Sequence, residues 1–77
     1  MKFTFAEQRE FDTIDAVIAD LEQRLKVCKQ QQEEACSDYL RLPELGEQQL
    51  ALERELEEKT ERWVYLNELK EKIDSGV

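Results

Sequence analysis

The sequence predicts an all-α fold: an antiparallel two-helix coiled-coil hairpin with a short N-terminal helix or turn packed at its base. Apolar residues recur every three or four positions in both halves of the chain, which is the pattern of a coiled-coil seam. Pro43 and Gly46 stand together between the halves and indicate a turn. Only 2 glycines and 1 proline occur in 77 residues, so we expect long helices in one small domain.

The two seams mirror each other along the chain. If the chain folds back on itself near Pro43, facing residues have numbers that add to 84. Phe11 then lies opposite Ile73 at the open end, and Leu21 lies opposite Trp63. The first seam consists of Phe11, Ile14, Ile18, Leu21, Leu25, Cys28, Gln32, Ala35 and Tyr39. The second consists of Leu45, Gln49, Leu52, Leu56, Lys59, Trp63, Leu66, Lys70 and Ile73. A hairpin this thin has little concave interior, so its function is expected to reside on its surface.

The N-terminal segment carries two signals for the start of a helix. Thr4-Phe5-Ala6-Glu7 has the form of a capping box, so a helix should begin near Phe5. Thr13 is a second start signal and predicts a break near residues 12–14. Residues 1–13 are therefore expected to form a separate short segment.

Three phenylalanines lie in that segment, namely Phe3, Phe5 and Phe11. Scattered over the end of a two-helix hairpin, they would remain in contact with water. We therefore expect them to pack together as an aromatic plug at the base.

The remaining elements follow from the breakers and the seams. The first long helix is expected over residues 14–38, the tip over 39–46 and the second helix over 47–73. Pro43 suits the first position of a helix. The tip also carries four apolar residues, Tyr39, Leu40, Leu42 and Leu45. These residues either cap the last core layer or form a small docking patch.

Four polar residues interrupt the seams: Gln32, Gln49, Lys59 and Lys70. Polar groups at such positions disfavour wrong registers and higher oligomers. Cys28 and Cys36 are about 12 Å apart along one predicted helix, beyond the roughly 7 Å limit for a disulfide. We therefore expect two free thiols. Because the chain has no histidine and no CxxC motif, no metal site is expected.

The sequence contains no catalytic constellation. It has no phosphate-binding loop and no histidine to activate a serine or cysteine. The glutamates between residues 53 and 61 alternate with basic residues around the helix, which is typical of a solvated face. We expect neither enzyme activity nor a cofactor in this domain. Without an apolar run of about 18 residues or a signal peptide, a cytoplasmic location with no membrane contact is expected.

The charge pattern bears on nucleic-acid binding. A net charge of -8 disfavours the phosphate backbone, which proteins neutralise with Lys and Arg. Between residues 24 and 41, however, four cations accompany only three carboxylates. The cations are Arg24, Lys26, Lys29 and Arg41. They form either a weak basic stripe or a set of charges that keeps the helix soluble.

Two stretches near the ends of the chain carry a resemblance to a known family. Residues 2–11 read Lys-Phe-Thr-Phe-Ala-Glu-Gln-Arg-Glu-Phe, and residues 61–69 read Glu-Arg-Trp-Val-Tyr-Leu-Asn-Glu-Leu. They resemble the Lys-Leu-Ser-Tyr-Lys-Glu-Gln-Arg-Glu-Leu opening and the Glu-Arg-Trp-x-x-Leu-x-x-Leu close of the C-terminal coiled-coil domain of ABC-F ATPases, notably the bacterial Uup type. Phe5 and Ala6 stand where that family has tyrosine and lysine.

The resemblance implies a soluble protein with two ATP-binding cassettes that use ATP and Mg²⁺, of which this chain is the last domain. Such proteins act on ribosomes or, for the Uup type, in DNA transactions. The resemblance makes Arg24, Lys26, Lys29 and Arg41 candidates for phosphate contacts to DNA or ribosomal RNA, with the cassettes of the same chain as further partners. The alternatives are protein docking through the tip or the acidic second helix, and self-association into a homodimer.

Overall fold

The computed structural model describes residues 2–76 and consists of two helices. Helix α1 spans Phe5–Glu34 and helix α2 spans Arg41–Asp74. They pack against each other along their lengths, and the start of α1 lies beside the end of α2. The molecule measures 57 × 18 × 14 Å. The predicted all-α hairpin is confirmed, and no strand occurs within the described residues.

Helix α1 begins at the predicted capping box. The Glu7 amide donates to Thr4 Oγ1 at 3.1 Å, and the Thr4 amide donates to Glu7 Oε1 at 3.0 Å. Two backbone N–H groups at the helix start, which have no partner within the helix, are thereby satisfied.

The predicted break near residues 12–14 does not form, because α1 is continuous from Phe5. The Thr13 hydroxyl donates to the carbonyl oxygens of Arg9 at 3.2 Å and Glu10 at 3.3 Å. Thr13 therefore satisfies its side chain inside a continuing helix instead of capping a new one. Of the segment predicted over residues 1–13, residues 5–13 belong to α1 and do not form a separate element.

The turn lies earlier in the chain than predicted. Helix α1 ends at Glu34, and residues 35–40 connect it to α2, whose first residue is Arg41. Pro43 is the third residue of α2, where its missing N–H is one that a helix start leaves unpaired in any case. The expected bounds of 14–38, 39–46 and 47–73 are corrected accordingly.

The register of the two helices is also displaced from the prediction. Trp63 Nε1 donates to Asp15 Oδ1 at 2.7 Å, so Trp63 does not lie opposite Leu21. In the predicted register, the numbers of two facing residues add to 84. In the structure, the numbers of two residues that hydrogen-bond between the helices add to between 72 and 81. The difference is about one heptad. Because a coiled-coil pattern repeats every seven residues, a slide of that length keeps apolar faces matched.

The core is a narrow line of side chains along the seam. In α1 and the turn after it the buried residues recur every seven positions: Ile14, Leu21, Cys28 and Ala35. In α2 Leu45 and Leu66 are buried, three heptads apart. A polar layer interrupts this line, because Gln32 Nε2 donates to Gln49 Oε1 at 2.6 Å and approaches the Leu45 carbonyl at 3.4 Å.

The predicted aromatic plug at the base forms only in part. The rings of Phe3 and Phe11 pack with their centroids 5.2 Å apart. Phe5 is 84% exposed and takes no part in that packing. Both cysteines are free thiols, as predicted, with Cys28 buried and Cys36 exposed.

Candidate nucleic-acid interface

The four predicted cations do not form one stripe. At about 100° per residue around an α-helix, Lys26 and Lys29 are about 60° apart, whereas Arg24 is at least about 140° from each. Lys29 flanks the seam on one side and Arg24 flanks it on the other, as the positions of Leu21 and Cys28 show. Lys26 and Lys29 share a face, and we call them the basic pair. Arg41 lies across the turn, at the first position of α2.

The local charge separates the basic pair from Arg24. Arg24 Nε lies 2.8 Å from Asp20 Oδ2, one helical turn earlier. Lys26 and Lys29 are exposed, and within residues 2–76 neither forms an ion pair. The acidic residues nearest to them on this face are Glu22, one helical turn before Lys26, and Glu33, one turn after Lys29. The basic pair therefore presents two ammonium groups to solvent.

The four apolar residues at the tip fall into two groups that differ in burial. Leu45 is buried in a cluster with Cys28 and Ala35, and Leu42 packs against that cluster. Tyr39 is 85% exposed and Leu40 is 86% exposed. We call Tyr39 and Leu40 the tip patch. The prediction of a capped core layer thus holds for Leu42 and Leu45, while the tip patch has no place in the core.

Asp38 fixes the backbone beneath the tip patch. Its carboxylate accepts hydrogen bonds from the amides of Leu40 at 3.1 Å and Arg41 at 3.2 Å. Its own amide donates to the Ala35 carbonyl at 2.8 Å, and the Leu42 amide donates to the Asp38 carbonyl at 3.1 Å. These bonds hold the turn, and they place a negative charge at the start of α2, where helix amides otherwise attract anions.

Six polar or aromatic residues join the two helices near the open end of the hairpin, and we call them the base clasp. They are Glu7, Glu10, Asp15, Arg62, Trp63 and Tyr65. At its centre, Arg62 Nε donates to Glu10 Oε2 at 2.7 Å and Nη2 donates to Oε1 at 3.0 Å. These bonds hold the pKa of Glu10 below its ordinary value and raise that of Arg62. The Arg62 guanidinium also lies 4.8 Å from the centre of the Tyr65 ring.

Glu7 connects the base clasp to the capping box. The Tyr65 hydroxyl donates to Glu7 Oε2 at 3.3 Å, while Oε1 of the same carboxylate accepts from Thr4. Hydrogen bonding from the Thr4 backbone lowers the pKa of Glu7, with smaller contributions from the Thr4 hydroxyl and Tyr65. The same side chain therefore caps α1 and contacts α2.

The base clasp is not evident from the seam pattern, although the sequence carries a signal for it. Glu7 and Glu10 lie in the Glu-Gln-Arg-Glu stretch, and Arg62 and Trp63 lie in the Glu-Arg-Trp stretch. A register shorter by one heptad brings these two stretches side by side. Five of the six residues of the base clasp, all but Asp15, thus lie in the two stretches that carry the family resemblance.

A shallow groove of about 460 Å³ lies on the Arg24 side of the hairpin. Its apolar lining comes from Val27, Cys28, Ala51 and Leu52. The basic pair does not line this groove, because both lysines are at least about 140° from Arg24 around the helix axis. The groove and the basic pair therefore lie on different sides of the hairpin.

Residues 2–76 contain no group of three or more side chains placed to hold a metal ion. Across the same part of the chain, neither helix has an apolar stretch long enough to cross a membrane.

Comparison with known proteins assigns the fold to a family. The family model described as the ABC transporter C-terminal domain matches residues 2–68. Among curated proteins and among solved structures, nothing matches the chain. The matched region covers α1, the turn and α2 as far as Glu68, and so includes the base clasp, the basic pair and the tip patch. The chain therefore belongs to the ABC transporter C-terminal domain family and is a non-catalytic C-terminal part of an ABC transporter-type protein.

Proposed function

We propose that this domain contributes nucleic-acid binding, to DNA or ribosomal RNA, within a cytoplasmic ABC-F ATPase of the Uup type. The observation that supports this proposal is the basic pair. Lys26 and Lys29 lie on one exposed face without an ion-pair partner in the described chain, although Glu22 and Glu33 lie one helical turn before Lys26 and after Lys29 on the same face. Two free ammonium groups one helical turn apart suit contacts to successive phosphates of one strand.

The four cations have different roles in this proposal. Lys26 and Lys29 make the principal phosphate contacts, and Arg41 extends the contact to the tip. Arg24 contributes less, because it is bonded to Asp20 and lies on the other flank of the seam. With a net charge of -8 on the chain, the binding is weak and requires low salt.

The test is fluorescence anisotropy of labelled duplex DNA, single-stranded DNA and a structured RNA, titrated with the chain at several salt concentrations. Each neutralised phosphate contributes roughly -0.9 to the log-log salt slope for duplex DNA and roughly -0.7 for single strands. A Lys26→Glu/Lys29→Glu variant is expected to lose binding. An Arg9→Glu/Lys72→Glu variant makes the same change in net charge near the open end and is expected to lose much less.

Two results would overturn the proposal. One is the absence of salt-dependent binding at low salt. The other is an equal loss in the two variants, which would make net charge, and not the face of α1, the determinant.

The parent protein in this proposal carries two ATP-binding cassettes, which bind ATP and Mg²⁺ and perform the hydrolysis. The hairpin supplies contacts to nucleic acid and to those cassettes. Titration of a cassette-containing parent with nucleic acid, with and without the whole hairpin, would measure the share of binding that the hairpin provides.

The groove supports self-association as a second candidate function. Val27 is 39% exposed, and Ala51 and Leu52 lie beside it, so a second copy of the hairpin would cover apolar surface there and form a four-helix bundle. Sedimentation velocity at several concentrations tests this function. A Val27→Glu variant is expected to remain monomeric where the unmodified chain dimerises. A chain that is monomeric at all concentrations would exclude self-association.

A further inference from the structure

We propose that a hollow beside Trp63 binds the guanidinium group of an arginine side chain, presented by a basic segment of a partner protein. The hollow lies between the two helices, near the base clasp, and has a volume of about 300 Å³. It is lined by Asp15, Ile18, Glu22, Thr60 and Trp63, and we call it the Trp63 hollow. The four cations proposed for phosphate contacts do not line it, so this inference is independent of nucleic-acid binding.

The Trp63 ring supplies an aromatic wall. Trp63 occupies a seam position, yet it is 38% exposed, whereas the seam residue Ile14 of α1 is only 2% exposed. A cation over the face of a tryptophan ring is attracted by the electrons of the ring, and in proteins that cation is most often arginine. The planar guanidinium group can also stack flat on the indole, which an ammonium group cannot do.

Asp15 places a negative charge at the edge of this ring. Trp63 Nε1 donates to Asp15 Oδ1 at 2.7 Å, and an indole N–H lies in the plane of its ring. The donor is neutral, so the carboxylate keeps its charge, and within residues 2–76 Asp15 forms no ion pair. A guanidinium group on the ring face presents N–H groups at its own edge, where Oδ2 of Asp15 can accept one.

Glu22 supplies a second carboxylate at the other end of the hollow. It is exposed, and it lies seven residues after Asp15, which is about 10 Å along α1. Lys26 follows Glu22 by one helical turn, but in the described part of the chain the two do not form an ion pair. Two arginines three residues apart in an extended segment are also about 10 Å apart. The hollow therefore suits a segment of the form Arg-x-x-Arg.

The distribution of charge favours a basic partner at this end of the hairpin. Residues 5–22 and 53–74 contain 14 carboxylates and 6 lysines or arginines, a difference that equals the whole net charge of -8. Two of these cations are already paired, Arg62 with Glu10 and Lys70 with Asp74. The half that contains the Trp63 hollow thus attracts cations and repels a phosphate backbone.

The experiment uses Trp63 as its own reporter, because the chain contains 1 tryptophan. The unmodified chain is titrated at low salt with a blocked Arg-Ala-Ala-Arg peptide, and the tryptophan emission is expected to change until it saturates. Asp15→Asn/Glu22→Gln is expected to weaken binding about tenfold. Asparagine keeps an oxygen that can accept from Trp63 Nε1, and circular dichroism checks that the variant folds.

A matched control makes the same change in charge elsewhere in the same half. Glu61 and Glu68 are exposed and lie at least about 140° from Trp63 around α2. Glu61→Gln/Glu68→Gln is therefore expected to weaken binding less than about twofold. A peptide with citrulline in place of arginine, which keeps the shape and removes the charge, should not bind. A lysine peptide should bind more weakly than the arginine peptide.

Four results would overturn the proposal. An equal loss in the two double variants would make net charge the determinant in place of the hollow. Equal affinity for the lysine and arginine peptides would remove the selectivity for a guanidinium group. Binding detected by calorimetry without a change in tryptophan emission would place the peptide elsewhere. The fourth result is the absence of binding at low salt.

Discussion

Arg62 holds Glu10 through two parallel hydrogen bonds of 2.7 and 3.0 Å, although 52 residues separate them in the chain. The pair joins the two helices where no loop connects them. A bidentate arginine–carboxylate pair has better geometry than an ordinary surface ion pair. Its contribution to stability is therefore expected to be larger and easier to measure.

A double-mutant cycle on Glu10→Ala and Arg62→Ala should give a coupling free energy of about 1 kcal/mol at low salt. The coupling should fall in high salt, because both side chains are partly exposed and their attraction is screened. The same cycle on Asp20 and Arg24, an exposed pair within α1, should give only about 0.3–0.5 kcal/mol. Urea unfolding followed by circular dichroism measures both. Equal coupling in the two cycles would contradict a special role for the base.

Stability should decrease as the pH falls through the range in which Glu7 and Glu10 titrate. Both carboxyl pKa values are lower in the folded chain, so each folded carboxyl binds fewer protons than the unfolded one. The stabilisation is complete above the unfolded pKa, roughly 4.3, and is lost as the pH drops below the lowered folded value. Thermal unfolding between neutral and acidic pH measures this loss.

The variant Glu10→Gln isolates the contribution of one carboxyl to this pH dependence. It should be less stable than the unmodified chain at neutral pH and should lose less stability on acidification. A Glu22→Gln variant is a suitable control, because Glu22 is exposed and forms no ion pair within residues 2–76. A pH profile of Glu10→Gln parallel to that of the unmodified chain would contradict the assignment.

Leu66 should be among the most sensitive positions of the fold, since it is fully buried. Leu66→Ala is expected to cost about 2–4 kcal/mol in the free energy of unfolding, from lost burial and from the cavity left behind. Leu50→Ala makes the same change in the same helix at a side chain that is 65% exposed, and should cost under about 0.5 kcal/mol. Similar losses at both positions would show that the seam is not packed as described.

The polar layer should set the register at some cost in stability. Replacing both Gln32 and Gln49 by leucine removes a partly buried hydrogen-bonded pair and adds apolar contact in the seam. The double variant is expected to unfold at a higher temperature and to associate at lower concentrations than the unmodified chain. Gln30→Leu, an exposed position on α1, is the control. If the double variant is less stable and no more associated, the pair contributes stability instead of specificity.

The fold class was predictable because both seams are long and regular, whereas the register was not. A heptad pattern is unchanged by a slide of seven residues, so apolar spacing alone could not choose between the two pairings. The choice depended on the position of the turn. Pro43 is typical of a turn and predicts one at residues 39–46, but at the third position of α2 it lacks only an N–H that needs no partner.

The candidate site was predictable in composition and not in arrangement. The cations at residues 24–41 are evident in the sequence, and helix geometry alone places Arg24 away from Lys26 and Lys29. The exposure of Tyr39 was one of two alternatives that the sequence left open, because the predicted register places Tyr39 in the seam while the tip could also form a docking patch. With the turn at residues 35–40, the same side chain lies outside the core.

The hairpin is a long, thin pair of helices that the base clasp joins at one end. Helix α1 has no break between Phe5 and Glu34, and the packed pair extends 57 Å while measuring only 18 Å across. A rotation applied at the clasped end therefore carries the far end through a much larger arc. A small change of angle at the clasped end is thereby turned into a long displacement of Tyr39 and Leu40 at the tip.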